Sequence, residues 1–287
     1  MDDAAHLADT DPLERARAFA DASAAENPSL EALARVAGLS PYHFVRAFSA
    51  RFGASPVAYV RERRMALAAR RLADGDAPPL VELAFDLGFE SQEGFTRAFK
   101  RAHGVSPGRY RRSPQTPESP MSVATAHLRL TMSQAPVRKA GFRVAGVHGV
   151  FDEATRSKIP VMWPSLIQRL PLPGQVGDDA SFGVCWAADG ANGAFNYMAA
   201  VPIAADAPAP EGLMVRDVPE QSYLVFRQEI EAAELQPQMV AAMRDIWGER
   251  VPASGFKLAN GPDLEAYPPE FEPGRATWLE WWIPVEA

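Results

Sequence analysis

Four residues spaced Phe44, Arg46, Ala47, Phe48 recur as Phe95, Arg97, Ala98, Phe99, and that duplication limits the fold more than any other feature of the chain. The match extends downstream, where Gly53, Ser55, Pro56 and Tyr59 recur as Gly104, Ser106, Pro107 and Tyr110. Upstream, Leu33-Ala34 and Gly38 recur as Leu83-Ala84 and Gly88. A helical repeat of about 50 residues marks either a stacked array or a duplicated module. Two copies are too few for an array, so the first 115 residues read as one module used twice.

Each copy reads as helix, tight turn, helix. In the first, Ser29 is placed to cap a helix with Leu30, Leu33, Ala34 and Ala37 on one face, and Gly38 ends it where the backbone turns left-handed. Ser40-Pro41 then opens a second helix, serine as cap and proline at the first position. Phe44, Ala47 and Phe48 fall at i, i+3, i+4 and make its inward face, while Tyr42, Arg46 and Ser49 share the outward face with Val45 beside them. In the second copy Leu80, Leu83, Ala84 and Leu87 point inward, Gly88 ends the helix and Ser91 caps the next. Phe95, Ala98 and Phe99 pack inside, and Gln92, Glu93, Thr96, Arg97 and Lys100 face out. A long helix over about Pro56 to Ala73, carrying Arg61, Arg63, Arg64, Arg70 and Arg71, joins the copies.

A helix that enters the major groove needs a polar, basic outer face backed by a rigid apolar one. Arg46 and Arg97 hold equivalent places on the two outer faces and can grip guanine or phosphate. The alternative is a helical bundle with solvated arginines, which suits any one of them but not the duplicated unit. Charge separates the halves in the same sense. Residues 27–115 hold 14 Lys+Arg and 8 Asp+Glu, whereas residues 116–287 hold 13 and 21, so a chain of net charge −7 joins a basic half to an acidic one.

These residues resemble the AraC family of transcription regulators over about Leu13 to Arg112. The most specific stretch is Gly88-Phe89-Glu90-Ser91-Gln92 through Phe95-Thr96-Arg97-Ala98-Phe99-Lys100, followed by Gly104-Val105-Ser106-Pro107-Gly108-Arg109-Tyr110-Arg111. The resemblance implies an all-α double helix-turn-helix bridged by the long helix, with two recognition helices in adjacent major-groove segments of double-stranded DNA. It places Tyr42, Val45 and Arg46 of the first copy, and Gln92, Glu93, Thr96 and Arg97 of the second, over bases or backbone; Ser49 and Lys100, on the same outer faces, complete the DNA-binding candidates. RNA polymerase is a candidate partner, and two reading units in one chain allow a monomer as well as a homodimer.

The remaining chain reads as a second domain. Ser113 to Ser122 carries three prolines among small polar residues, so residues 116–124 are assigned as a linker between domains at 1–115 and 125–287. Cys185 is the only cysteine, which excludes an intrachain disulfide, and the five histidines show no metal-ligand spacing, so neither metal nor cofactor is expected. No apolar run approaches the roughly 20 residues of a membrane span. Met1 to Thr10 lacks the basic start of a signal peptide, and a cytoplasmic protein without membrane contact is expected.

From Val137 onward the pattern alternates between strand and helix. Strands are predicted over 137–150, 181–187, 196–204, 213–219, through Tyr223, Val225 and Arg227, and over 262–267 and 276–285. Helices are predicted over 163–170 and 236–247. The order strand, helix, strands occurs twice, an α+β domain with pseudo-twofold strand-helix-strand repeats. In the last strand Trp278, Glu280 and Trp282 share one face, and Leu279, Trp281 and Ile283 the other. A carboxylate between two indoles is costly unless paired, hydrogen-bonded or partly wet. It suits a cationic or hydrogen-bonding organic ligand, with about 0.5–2 kcal/mol of cation–π attraction. The alternative is a glutamate satisfied within the protein and tryptophans serving as core.

From roughly Leu128 to the end the chain resembles the GyrI-like domain, also found as the effector domain of multidrug-responsive regulators. The resemblance rests on Val251-Pro252-Ala253-Ser254-Gly255-Phe256, Asn260-Gly261-Pro262-Asp263-Leu264-Glu265-Ala266-Tyr267 and Leu279-Glu280-Trp281-Trp282-Ile283-Pro284-Val285. It implies a small-molecule effector held in a cleft between half-domains, with Glu280 as the cleft carboxylate and Tyr267 as an aromatic neighbour; Trp278, Trp282, Trp186 and Tyr197 complete the candidate set. Three functions remain open at this point. The second domain could sense a small, lipophilic or cationic molecule for the first. It could hydrolyse one, with Glu280 as base and Tyr267 as proton donor and no independent catalytic set elsewhere. It could sequester a protein partner.

Overall fold

The structure, a computed structural model of the chain, describes residues 11–74, 77–112, 128–152, 154–177, 180–188 and 193–286. It divides into two compact units, at residues 1–124 and 125–287. The linker assigned at 116–124 and the segment Met1 to Thr10 lie outside the described residues.

The amino-terminal unit is helical: α1 (Pro12–Ala22), a short 3-10 turn (Ala24–Glu26), α2 (Leu30–Ala37), α3 (Pro41–Phe52), α4 (Pro56–Ala73), α5 (Leu80–Asp86), α6 (Gln92–His103) and α7 (Pro107–Arg112). Local chemistry sets these boundaries. The hydroxyl oxygens of Ser29, Ser40, Ser55 and Ser91 accept from the backbone N–H three residues on, at 3.2, 3.3, 3.3 and 3.1 Å, each satisfying an otherwise orphan donor. Gly38, Gly53 and Gly104 close α2, α3 and α6 at φ of 70°, 73° and 74°, where a β-carbon would be strained.

The repeat builds two cores rather than one. Leu30, Leu33, Phe44, Ala47 and Phe48 pack with Leu13, Ala16 and Ala20 of α1. Leu83, Ala84, Leu87, Phe95 and Phe99 form the second core with Tyr110. The joining helix α4 serves both, giving Tyr59 and Val60 to the first and Met65, Ala68, Ala69 and Leu72 to the second. Burial of each phenylalanine contributes roughly 1.5–3 kcal/mol, so α3 and α6 each have their own rigid backing.

The carboxyl-terminal unit is one antiparallel sheet with helices. Its elements are β1 (Arg129–Met132), β2 (Val137–Lys139), β3 (Phe142–Phe151), a 3-10 stretch (Arg156–Val161), α8 (Met162–Ile167), β4 (Ser181–Ala187), β5 (Phe195–Ile203), β6 (Met214–Val218), β7 (Gln221–Ile230), α9 (Leu235–Asp245), a π-helical turn (Ile246–Arg250), α10 (Val251–Ala253), β8 (Asp263–Tyr267) and β9 (Thr277–Val285). Strand order is β1-β7-β9-β8-β4-β5-β3-β6, with β2 also on β7. The β8–β4 pair is the seam. To one side stand β9 and β7, to the other β5 and β3, so β3-α8-β4-β5 and β7-α9-β8-β9 are two copies of one unit in mirrored order across it.

Three differences from the sequence reading have local causes. The strand predicted over 137–150 is two strands, because the chain passes at Ala140-Gly141 from pairing with β7 to pairing with β5 and β6. The first helix ends at Ile167 and is preceded by a 3-10 stretch around Pro160, which lacks the N–H an α-helix would use. Strand β1 was not anticipated; its burial pattern, with Leu130 alone buried, is that of an edge and carries little periodicity.

Candidate functional site

The two outward helix faces differ. On α6, Gln92, Glu93, Arg97 and Lys100 are exposed and Thr96 is half-buried, so this face offers several unobstructed polar side chains. On α3 the equivalents are less open. Tyr42, Val45, Arg46 and Ser49 are all half-buried. The Arg46 guanidinium lies 5.7 Å from the Tyr42 ring centre. Val45 packs against the first core, and the Ser49 hydroxyl oxygen is shielded from solvent, so neither presents the free contact expected of it. His43 is a backing residue: it is buried with its Nδ1 3.0 Å from Ser40 Oγ. Burial, with the nearby Arg46 charge second, pushes its pKa down to about 4 and keeps it neutral.

In the carboxyl-terminal unit the candidate ligand residues divide between the two faces of the sheet. The register settles this. Glu280 lies opposite Ala266, and Trp281 opposite Glu265. Side chains alternate along a strand, so Glu280 and Tyr267 stand on opposite faces. The single cleft expected from the sequence, with Glu280 as base and Tyr267 as donor, is therefore not assembled.

Trp278, Glu280, Trp282 and Trp186 occupy one face, where the protein supplies their partners. The Trp282 indole N–H donates to Glu280 Oε2 at 2.8 Å, and Lys139 Nζ lies 4.0 Å from that oxygen and 4.0 Å from the Trp282 ring centre. Arg227 covers Trp278 at 3.9 Å and Arg216 covers Trp186 at 4.0 Å. His148 stacks on Trp186 as well, and its Nε2 is 2.8 Å from Asn196 Oδ1. Glu280 Oε2 thus has a hydrogen-bond partner within the protein in the Trp282 indole N–H, with the Lys139 ammonium nearby.

The opposite face carries α8 over β3 and β5, and α9 against β7. Between these helices, β8 and β4 present Asp263, Glu265, Tyr267 and Cys185 in the registers Asp263–Cys185, Glu265–Gly183 and Tyr267–Ser181. Glu265 Oε2 accepts from the Tyr197 hydroxyl at 2.9 Å and from the Tyr267 hydroxyl at 2.8 Å. The Trp163 indole N–H of α8 donates to the Tyr197 oxygen at 3.2 Å, and its ring meets Tyr267 edge-on at 4.9 Å. Phe271 continues the aromatic wall, 4.7 Å from Tyr267. Burial, and then the Glu265 charge, raise the pKa of both tyrosines well above 10, so both remain hydrogen-bond donors. Gly183 makes room for the arrangement: a β-carbon there would stand 2.4 Å from both Glu265 Oε2 and the Tyr197 hydroxyl.

The structure thus brings Tyr197 and Tyr267 together around Glu265 rather than Glu280, with Trp163 beside them, and neither Glu265 nor Trp163 was among the candidates read from the sequence. The signal for Glu265 was available, since alternation within Asp263-Leu264-Glu265-Ala266-Tyr267 puts it on the face of Tyr267. Among the described residues no group of His, Cys, Asp or Glu is disposed to hold a metal ion, and no helix is long and apolar enough to cross a membrane.

Comparison with known proteins matches each unit separately. Residues 33–113 match the helix-turn-helix domain profile, and residues 137–286 match the GyrI-like small molecule binding domain. The multiple antibiotic resistance protein MarA of Escherichia coli is 38% identical over 95 residues, which cover 33% of this chain and 74% of MarA. The transcriptional regulator BrlR of Pseudomonas aeruginosa is 30% identical over 148 residues, 51% of this chain and 52% of BrlR. The HTH-type transcriptional regulator YbfP of Bacillus subtilis is 41% identical over 86 residues, 30% of this chain. The match spans only 29% of YbfP.

Proposed function

The chain belongs to the AraC-type helix-turn-helix regulators and carries a GyrI-like small molecule binding domain, and on that premise we propose that it is a one-component transcription regulator. In this reading its amino-terminal unit binds double-stranded DNA through α3 and α6, and its carboxyl-terminal unit binds a small organic effector that changes the binding. The cell compartment is then the cytoplasm, where the DNA is. The observation that carries the effector half is the Glu265 carboxylate, set among Tyr197, Tyr267, Trp163 and Phe271. A carboxylate in an aromatic setting favours a lipophilic cation, because charge pairing and cation–π attraction act together where water is scarce. α6 supplies the more open reading face, and Arg97 is its strongest candidate for a base contact.

Coupling requires that the effector bind one state of the protein better than another; a typical differential is about 1–3 kcal/mol. The test is titration of lipophilic organic cations against the full chain and Glu265→Gln, followed by tryptophan emission. Saturable binding that weakens at least tenfold in Glu265→Gln, while Glu280→Gln leaves it unchanged, supports the reading. Equal binding by both variants overturns the site. A second reading draws on the same contact: a carboxylate within hydrogen-bond reach of two phenols is also a general acid–base arrangement. Product formed from a bound compound, and abolished in Glu265→Gln, would favour hydrolysis.

A further inference from the structure

Among the arginines of α4, Arg64 alone is buried, at 7% exposure, and its partners come from two segments distant in sequence. Its Nε donates to the Leu87 carbonyl at 3.0 Å, and Nη2 donates to the same oxygen. Nη1 donates to Asn27 Oδ1 at 2.9 Å. The guanidinium carbon stands 4.2 Å from the centre of the Phe89 ring. Leu87 is the C-cap of α5, and its carbonyl belongs to the negative end of that helix, so a cation there meets both a free acceptor and the helix dipole. Phe89 lies in the turn before α6. Asn27 ends the turn that follows α1, in the left-handed conformation at φ 54°.

The segments around this guanidinium are the joints of the two reading units. Asn27 leads into the first, Leu87 to Phe89 is the turn inside the second, and α4 is the rod between. Space at the joint is tight: a β-carbon on Gly88 would lie 3.0 Å from the Ala25 carbonyl oxygen and 3.5 Å from Arg64 Nη2. A planar donor fork with two parallel bonds to one carbonyl, a third bond at a fixed angle and a ring beneath resists rotation in a way a lysine ammonium does not. Burial without a carboxylate lowers the Arg64 pKa, so this charge is not placed here for ion pairing.

We propose that Arg64 is the positioning residue that fixes the spacing and phase of α3 relative to α6, and so sets which separation of two DNA segments the protein accepts. The inference rests on the reading above that both helices enter DNA. A rigid joint makes engagement of the second segment an intramolecular event at high effective concentration, worth 10²- to 10⁴-fold in affinity when the geometry matches and lost when it does not.

The experiment uses the full chain and the tightest duplex it selects from a random-sequence pool. Affinity is measured for that duplex, for duplexes with one or two base pairs inserted between the segments, and for one with the second segment scrambled. Wild type should discriminate steeply against the insertions. Arg64→Lys should lose at least tenfold on the selected duplex, lose nothing on the scrambled one, and tolerate the insertions. Asn27→Gly keeps the left-handed backbone and removes one acceptor; it should move the same way to a smaller extent, and it decides the matter if Arg64→Lys is not helical by circular dichroism. Equal loss on all duplexes with the wild-type spacing preference intact would reduce Arg64 to a fold-holding residue and overturn the proposal. Failure of wild type to select any duplex would instead remove the DNA-binding reading itself.

Discussion

Replacing Gly183 by alanine perturbs the proposed effector site from below, by crowding the contact between Glu265 and Tyr197. The new β-carbon would stand 2.4 Å from Glu265 Oε2, 2.4 Å from the Tyr197 hydroxyl and 3.0 Å from Tyr197 Cζ. None of these can yield locally, because Tyr197 is fully enclosed and Glu265 is buried. Overpacking of this kind costs about 1–3 kcal/mol. Separation of the phenol from a buried carboxylate adds roughly 1.5–3 kcal/mol for a charge-assisted hydrogen bond. The expected destabilisation is about 2.5–6 kcal/mol, together with loss of effector binding. All six tryptophans lie between Trp163 and Trp282, so tryptophan emission in a urea titration reports the carboxyl-terminal unit alone. Gly261→Ala serves as the control: the nearest atoms to its β-carbon would belong to the flexible end of the Gln221 side chain rather than to a bonded carboxylate and phenol, and a loss well below that of Gly183→Ala is expected. A Gly183→Ala protein within about 1 kcal/mol of wild type, with ligand affinity unchanged, would refute the geometry drawn for this site.

Three further predictions concern the amino-terminal unit. His43 is held neutral with a pKa of about 4 against 6.5 for a free histidine, so stability is retained above pH 6.5 and falls as pH drops toward 4, by about 3 kcal/mol in all; denaturant titrations across that window should show this slope in wild type and a shallower one in His43→Gln. Phe95→Ala removes a fully buried ring from the second core and should cost about 3–5 kcal/mol by helical circular dichroism, whereas truncation of the exposed Phe85 should cost less than about 1. Arg97→Ala should weaken binding to the selected duplex by about 1–3 kcal/mol and relax preference at one base pair; uniform weakening on all sequences would make Arg97 a phosphate contact.

What the sequence made legible was local. Ser29, Ser40 and Ser91 beside their helices, and Gly38 and Gly104 after theirs, define ends through contacts within three or four residues, and the repeat confirms each end twice. The alternation in Thr277–Val285 correctly separated Glu280 from Trp281. What it could not say was which face lies under the helices, since that depends on α8 and α9, more than thirty residues away in sequence. Glu280 was preferred because two indoles flank it along the strand; in the fold those indoles are covered by Lys139 and Arg227, which reach them only through β2 and β7. For Glu265 the neighbour Tyr267 was legible by alternation, but Tyr197 comes from β5, the space beside it from Gly183 of β4, and Trp163 of α8 reaches it only through Tyr197. Arg64 was hidden in a row of five arginines for the same reason, its acceptors lying 23 and 37 residues away.

The most direct test of an effector-controlled DNA-binding protein is fluorescence anisotropy of the full chain on its selected duplex against scrambled DNA, over a salt series, with and without a panel of lipophilic cations. Sequence-specific binding is expected, with an affinity that moves at least fivefold with one of the cations, a shift abolished by Glu265→Gln and retained in Glu280→Gln. Specific binding that no cation alters, or an equal response in wild type and Glu265→Gln, would contradict the proposal that Glu265 and its aromatic neighbours bind the effector that controls DNA binding.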